Sequence, residues 1–151
     1  MKLFNLGNYY NDFIVGDVIH HSLSKTIFES DNNLFSLLTM NSHPLHTNLD
    51  YANKSQHQQI LVVGTLVFSL SVGITVPDIS GKAIANLEYN NIKHLSPVFV
   101  NDTIYVSTKI LNKFESNTKK DRGIVHVESL VRNQHDELVL TFERKVLIKK
   151  R

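Results

Sequence analysis

Leu38-Thr39-Met40-Asn41-Ser42-His43-Pro44-Leu45-His46-Thr47-Asn48 is the stretch of this chain best equipped for chemistry. It gathers an amide and two imidazoles around a proline that stiffens the loop. An imidazole gains and loses a proton near neutral pH, and an amide can both donate to and accept from a water. Asn41 and His46 converging on one water would give general acid–base catalysis. Read without chemistry, Asn41 closes the preceding helix and His46 packs. His43, His46 and Asp50 form a second pattern, His-x-x-His with a carboxylate, that could hold a divalent ion. Pro44 breaks the helix that would align them, and zinc sites want three or four clear ligands, so no metal is expected.

Gly64 is the second candidate. It stands in the first turn of an apolar segment that reads as a buried helix. Without a Cβ, its N–H is open to a ligand oxygen. A helix N-terminus adds orphan donors and positive potential. Together these make an oxyanion site; close packing of helix on sheet would ask for glycine just as well. Ser69 and Ser71 are expected to bond back to the preceding turn rather than catalyse. No Gly-x-Ser-x-Gly occurs, so a serine-hydrolase elbow has no support. His20, His21, His57, His94, His126 and His135 show no partner pattern and read as surface or strand residues.

Composition removes whole classes of function. The 151 residues include eight histidines and no cysteine, which excludes disulfide scaffolds, thiolate zinc sites, iron–sulfur clusters and cysteine nucleophiles. Sixteen Lys+Arg against fourteen Asp+Glu leave a net charge of +2, no footprint for nucleic acid. The uncharged run at residues 60–77 is broken by Gly64, Thr65, Ser69, Ser71, Gly73 and Thr75. It falls short of the ~20 apolar residues of a membrane helix and reads as a core helix. Met1-Lys2-Leu3-Phe4-Asn5-Leu6-Gly7 lacks a signal peptide's apolar core; a cytoplasmic protein is expected.

The elements that must position these residues follow from pattern. Residues 20–28 alternate as a strand, with Leu23, Lys25 and Ile27 on one face. Ser30 reads as an N-cap with Asp31 in the first turn. Leu34, Phe35, Leu37 and Leu38 form the apolar stripe of a helix ending near Met40-Asn41, since Pro44 forbids its continuation. Residues 48–58 are polar, a short helix or loop. Residues 60–75 exceed usual strand length and predict the buried helix, stopped by Pro77. Residues 83–91, 103–114, 123–132 and 137–149 are β-rich strands, with residues 133–136 a hairpin link. Asn101 is suited to a left-handed turn. Helices followed by antiparallel strands make one α+β domain over residues 1–151. A sheet of five or so strands curling round the apolar helix would leave one side bare, and a second subunit is the simplest cover.

Five strings, in order, carry a resemblance. They are Tyr10-Asn11-Asp12-Phe13-Ile14-Val15-Gly16, Thr26-Ile27-Phe28-Glu29-Ser30-Asp31, Asn41-Ser42-His43-Pro44-Leu45-His46, Val63-Gly64-Thr65-Leu66 and Pro97-Val98-Phe99-Val100-Asn101-Asp102-Thr103. Over nearly its whole length the sequence resembles the MaoC-like dehydratase family, the group of (R)-specific enoyl-CoA hydratases. The resemblance implies a hot-dog fold, a curved antiparallel sheet wrapped around a long central helix, and at least a homodimer. It implies reversible syn addition of water to a trans-2-enoyl-CoA thioester, with no cofactor. It carries the family's catalytic histidine onto His46 and its oxyanion glycine onto Gly64. His43, Pro44 and Thr65 fall against the substrate. Asn41 stands where the family has aspartate, His43 where it has asparagine, and Asn101 where it has glycine. An asparagine cannot act as a base but can position a water or leaving hydroxyl, which leaves His46 as the titrating group.

The string Met40-Asn41-Ser42-His43-Pro44-Leu45-His46 looks like the branch acting on short branched or dicarboxylic acyl-CoAs, such as mesaconyl-CoA hydratase and β-methylmalyl-CoA dehydratase. For such a substrate a cation near the pocket is expected, with Lys93 and Arg122 the candidates. The alternatives are an acyl-CoA or acyl-carrier binding protein without turnover, and a hot-dog thioesterase.

Overall fold

The structure, a computed structural model, describes residues 6–151. Residues 1–5, most of the stretch read above for a targeting signal, lie outside the described residues. After a 3-10 turn at Tyr10–Asp12, strand β1 (Val18–Thr26) leads into helix α1 (Glu29–Thr39) and two short helices, α2 (Pro44–Thr47) and α3 (Leu49–Asn53). The apolar helix α4 (Gly64–Thr75) and four strands follow: β2 (Ala83–His94), β3 (Thr103–Glu115), β4 (Arg122–Arg132) and β5 (Leu138–Lys149). The strands form one antiparallel sheet in the order β1-β3-β4-β5-β2. The four predicted C-terminal strands stand within three residues of their observed bounds.

The period-two pattern decides what the sheet presents to α4. Ile104, Val106, Thr108 and Ile110 in β3, Val125, Val127, Ser129 and Val131 in β4, and Phe142, Arg144, Val146 and Ile148 in β5 are buried on the concave face. Each strand interrupts its apolar series once, at Thr108, Ser129 and Arg144. Thr108 pairs with Ser129, and Arg144 stands one inward-facing position on, opposite Val127; around these breaks the core divides in two. One cluster, with Val67, Ile74, Val106, Val131 and Phe142, holds α4 along its length. The other, with Phe13, Ile79, Val127 and Val146, packs under the turn at residues 76–80 that follows α4. Each fully buried Val, Ile or Phe contributes about 1.5–3 kcal/mol of transfer free energy.

Several local expectations are corrected. β1 begins at Val18, two residues earlier than expected, and ends at Thr26. Its register shifts between His20 and Ser24, so Leu23 is exposed while Ile27 is buried beyond the strand's end. The N-cap of α1 is Phe28, not Ser30; Asp31 at the third helical position accepts the Phe28 N–H at 2.9 Å. Lys25 also bonds Asp31, at 2.7 Å, and with the Phe28 N–H holds its carboxyl below the usual carboxylate range. The apolar stripe of α1 points outward: Leu34, Leu37 and Leu38 are exposed, and the buried face is Asn32 and Ser36. The helix ends where expected, with Met40 left-handed at φ 59°.

Residues 60–63 are not helical. Leu61 bridges Phe99, and the Val62 N–H donates to the Val98 carbonyl at 2.8 Å. The pull of that pairing delays α4 to Gly64. Pro77 does not stop the helix: it widens into a π turn at Val76–Ser80. A π turn tolerates the missing proline N–H where a regular α turn would clash. On one side of α4, Thr65, Ser69 and Gly73 are exposed, the bare flank expected of a helix wrapped by a single sheet. Ser71 bonds back to the Val67 carbonyl at 2.6 Å; Asn101 is left-handed at φ 75°.

Candidate active site

The loop before His46 is built by successive caps. The Asn41 N–H closes α1 by donating to the Ser36 carbonyl at 3.0 Å. The Asn41 Oδ1 then accepts the His43 N–H at 3.2 Å, and His43 Nδ1 accepts the Leu45 N–H at 3.2 Å. His43 is thus the N-cap of α2, with Pro44 following at a position where no N–H is missed. An imidazole nitrogen here does what an asparagine Oδ1 would do, which accounts for histidine at this position. The ring of His43 lies edge-on to His46 and to Tyr51, with centroids 6.0 Å and 6.3 Å apart.

His46, half-buried on α2, has one ring nitrogen committed. Its Nδ1 lies 2.7 Å from the Leu61 carbonyl oxygen. A carbonyl only accepts, so Nδ1 carries the proton and Nε2 holds the lone pair. That is the tautomer of a general base whose working nitrogen is free.

Gly64 opens α4, and Val63 before it offers no side-chain cap. The first N–H groups of the helix therefore have no intrahelical acceptor. His46 and Gly64 line one cavity of about 290 Å³, together with Leu61, Val62, Val67 and the segment from His94 to Val98. A Cβ at Gly64 would come within 3.0 Å of the His94 ring. Glycine lets the ring approach this closely; an alanine would press on it.

The sequence candidates do not all meet. Asn41, His43, Pro44 and Thr65 are outside that cavity's lining; Asn41 faces a neighbouring hollow with Ser36, Leu37, Met40 and Thr47. Asp50 pairs with Lys54 at 2.7 Å, and among the described residues no three His, Asp or Glu side chains converge as a metal would require. Neither candidate cation reaches the cavity. Arg122 is paired with Asp121 at the start of β4, the end of the sheet far from His94. Lys93 stands opposite Thr141, on the other face of the sheet from His94, which stands opposite Leu140.

Two residues enter the site that carried no signal in the sequence. His94, expected to be an ordinary surface or strand residue, is exposed but brings its ring to the cavity and to Gly64. Only the register of β2 on β5 puts it there. Asn32, almost fully buried at 1% exposure, sits behind His46 and the start of α4. Its polar position on the side of α1 away from the apolar stripe was its only possible trace. His21, likewise read as ordinary, is buried at the other end of the sheet, between Asp78 at 2.6 Å and Thr108 at 2.8 Å.

The chain is similar to known proteins over most of its length. The family model described as MaoC like domain matches residues 12–133. The β-methylmalyl-CoA dehydratase of Chloroflexus aurantiacus is 35% identical over 147 residues, covering 97% of this chain and 42% of that protein. The mesaconyl-CoA hydratase of Cereibacter sphaeroides is 31% identical over 147 residues, covering 97% and 43%. The chain therefore spans less than half the length of these two relatives. A Mycobacterium tuberculosis protein with a double hotdog fold superposes with a TM-score of 0.88 at 21% identity, over 96% of this chain and 45% of that one.

Proposed function

The chain belongs to the MaoC-like domain family and has its hot-dog fold, and from that premise we propose that it is an acyl-CoA hydratase/dehydratase. The observation that carries the reading is the meeting of His46, its Nδ1 tied to the Leu61 carbonyl, with the N-terminus of α4 at Gly64 in one cavity. In the hydration direction His46 Nε2 takes a proton from water as the oxygen bonds to Cβ of the enoyl thioester. Negative charge moves through Cα to the thioester oxygen, where the Gly64 N–H meets it. The imidazolium then returns its proton to Cα on the same face. Water is consumed whole and no electrons leave the substrate, so the step needs no cofactor. Asn41 lies outside that cavity with its Oδ1 engaged by the His43 N–H; to hold the water or leaving hydroxyl it would have to turn its NH₂ toward His46. His43 and Pro44 would bear on the acyl group only through the shape they give the loop, and exposed Thr65 is our candidate for the CoA arm.

The relatives' names favour a short branched or dicarboxylic acyl group. With Lys93 and Arg122 remote, His94 is the group on the cavity wall suited to a distal carboxylate. We read residues 1–151 as one hot-dog unit acting as a homodimer in the cytoplasm. β2 is an edge strand with Ile84, Leu87, Tyr89 and Ile92 exposed, a surface that pairing with a second copy would cover. Among the described residues no helix is long and apolar enough to cross a membrane.

Loss of the enoyl-thioester ultraviolet absorbance with mesaconyl-CoA or crotonyl-CoA tests the activity. Saturable binding without turnover across an enoyl-CoA panel would replace the enzyme by a binding protein, and release of free CoA thiol would replace it by a thioesterase. Sedimentation at twice the 17.2 kDa chain mass is the result expected of the dimer.

A further inference from the structure

The structure assigns to Asn32 the positioning of both halves of the catalytic machinery through a single buried amide. The inference rests on the hydratase reading for its kinetic consequence, though not for its geometry. Asn32 Oδ1 accepts the Val63 N–H at 2.9 Å. Its Nδ2 donates to the His46 carbonyl at 3.2 Å and, over a longer 3.4 Å, to the Leu61 carbonyl. The orientation of the amide follows from its partners, since an N–H can only donate and a carbonyl only accept. Each contact falls on a working part. The His46 carbonyl fixes the backbone of the general base. The Leu61 carbonyl is the oxygen that accepts His46 Nδ1–H and sets its tautomer. The Val63 N–H precedes Gly64 and fixes where α4 begins. Three segments brought together from 14, 29 and 31 residues away are thus held by one side chain.

Burying an amide costs free energy unless its hydrogen bonds are met. A helix needing only to pack would turn its leucines inward, yet α1 turns Leu34, Leu37 and Leu38 out and Asn32 in. The inward face is spent on wiring the site. Placement errors near 1 Å in a catalytic group cost on the order of 100-fold in rate, the scale on which such a clamp acts.

Asn32→Leu and Asn32→Asp test this. The leucine variant keeps the branched shape, slightly enlarged, and removes all three bonds. The aspartate variant keeps the acceptor for Val63 and removes the donors. For whichever enoyl-CoA the wild type hydrates, Asn32→Leu should lower kcat on the order of 100-fold with KM nearly unchanged. Asn32→Asp, which has no amide donor for the His46 and Leu61 carbonyls, should lower kcat in the same direction. Long-range ¹H–¹⁵N spectra should show His46 held as the Nδ1–H tautomer in the wild type and as a mixture in both variants. A folded variant with wild-type kcat and unchanged His46 nitrogen shifts overturns the assignment, and so does a variant that loses thermal stability alone. If the leucine variant does not fold, the isosteric aspartate variant decides. The nitrogen spectra need no substrate, so absence of turnover in the wild type would remove the hydratase reading while the clamp is still judged on the tautomer.

Discussion

Two imidazoles stand at opposite ends of α4 and have opposite fates. His46, near its start, has Nδ1 tied to the Leu61 carbonyl and Nε2 open on a cavity. His21, near its end, has both nitrogens tied, Nδ1 to Asp78 and Nε2 to Thr108, with its side chain fully buried. Around His21 the network continues. Thr108 Oγ1 is 2.8 Å from Ser129 Oγ, and the adjacent Arg144 donates to Thr75 at 2.9 Å and to Ser80 at 3.2 Å. The Asp–His–hydroxyl order resembles a relay, but no nitrogen is left to accept a substrate proton. Chemistry needs one uncommitted partner next to a space; a fully satisfied imidazole holds structure together.

The contrast breaks most visibly at His46. His46→Ala should lower hydration about 10²–10⁴-fold with little change in Tm, because the ring gives up one exchangeable contact and opens toward solvent. Full activity in that variant would remove the distinction between the two imidazoles. Next in size is Gly64→Pro. Proline suits the first helical position, and the extended Val63 before it, at φ −57° and ψ 124°, is compatible with a following proline. The substitution deletes the N–H assigned to the thioester oxygen, for an expected loss of about 10²–10³ in kcat. Gly64→Ala keeps that N–H and only presses on the His94 ring, so its loss should be smaller. Equal losses in the two variants would point to crowding instead of an oxyanion contact.

Much of this was legible in the sequence, for physical reasons. The period-two runs of the C-terminal strands and the long uncharged segment are set by local sterics and burial; the strands appear where expected, and the helix begins four residues late. Asn41, Pro44 and His46 stand out because a proline-stiffened loop with polar residues has few uses. What escaped depends on contacts between distant segments. The start of α4 is decided by Leu61 pairing with Phe99, and the side α1 buries is decided by what Asn32 reaches. His21 and His94 looked alike because a histidine's role is set by what each nitrogen meets. In both cases that is fixed by strand register.

The buried end of the comparison yields smaller, structural effects. Thr108→Val removes the hydroxyl between His21 and Ser129 and leaves two buried groups short of a partner, at about 1–3 kcal/mol. Its Tm should fall while kcat at the other end of α4 is unchanged; a matching loss of kcat would mean that the two ends are coupled.

The smallest effect is also the most specific, because it depends on sign. Burial pushes the His21 imidazole below its ordinary value; Arg144 and His20 add to this, and the bond and charge of Asp78 oppose it. Below about pH 6.5 the unfolded chain takes up a proton that folded His21 refuses. Stability from this group is therefore complete above that pH and is lost as pH falls through the lower, folded value. Asp12, Asp31, Asp121 and Glu143, all held below the usual carboxylate range, lose their contributions only in more acid solution. Between pH 6.5 and about 5, the decline in Tm should therefore carry the mark of His21 and be shallower in His21→Gln. An unchanged slope in that variant would show that the buried imidazole accepts its proton as readily as a free one, and the two ends of α4 would then differ in access alone.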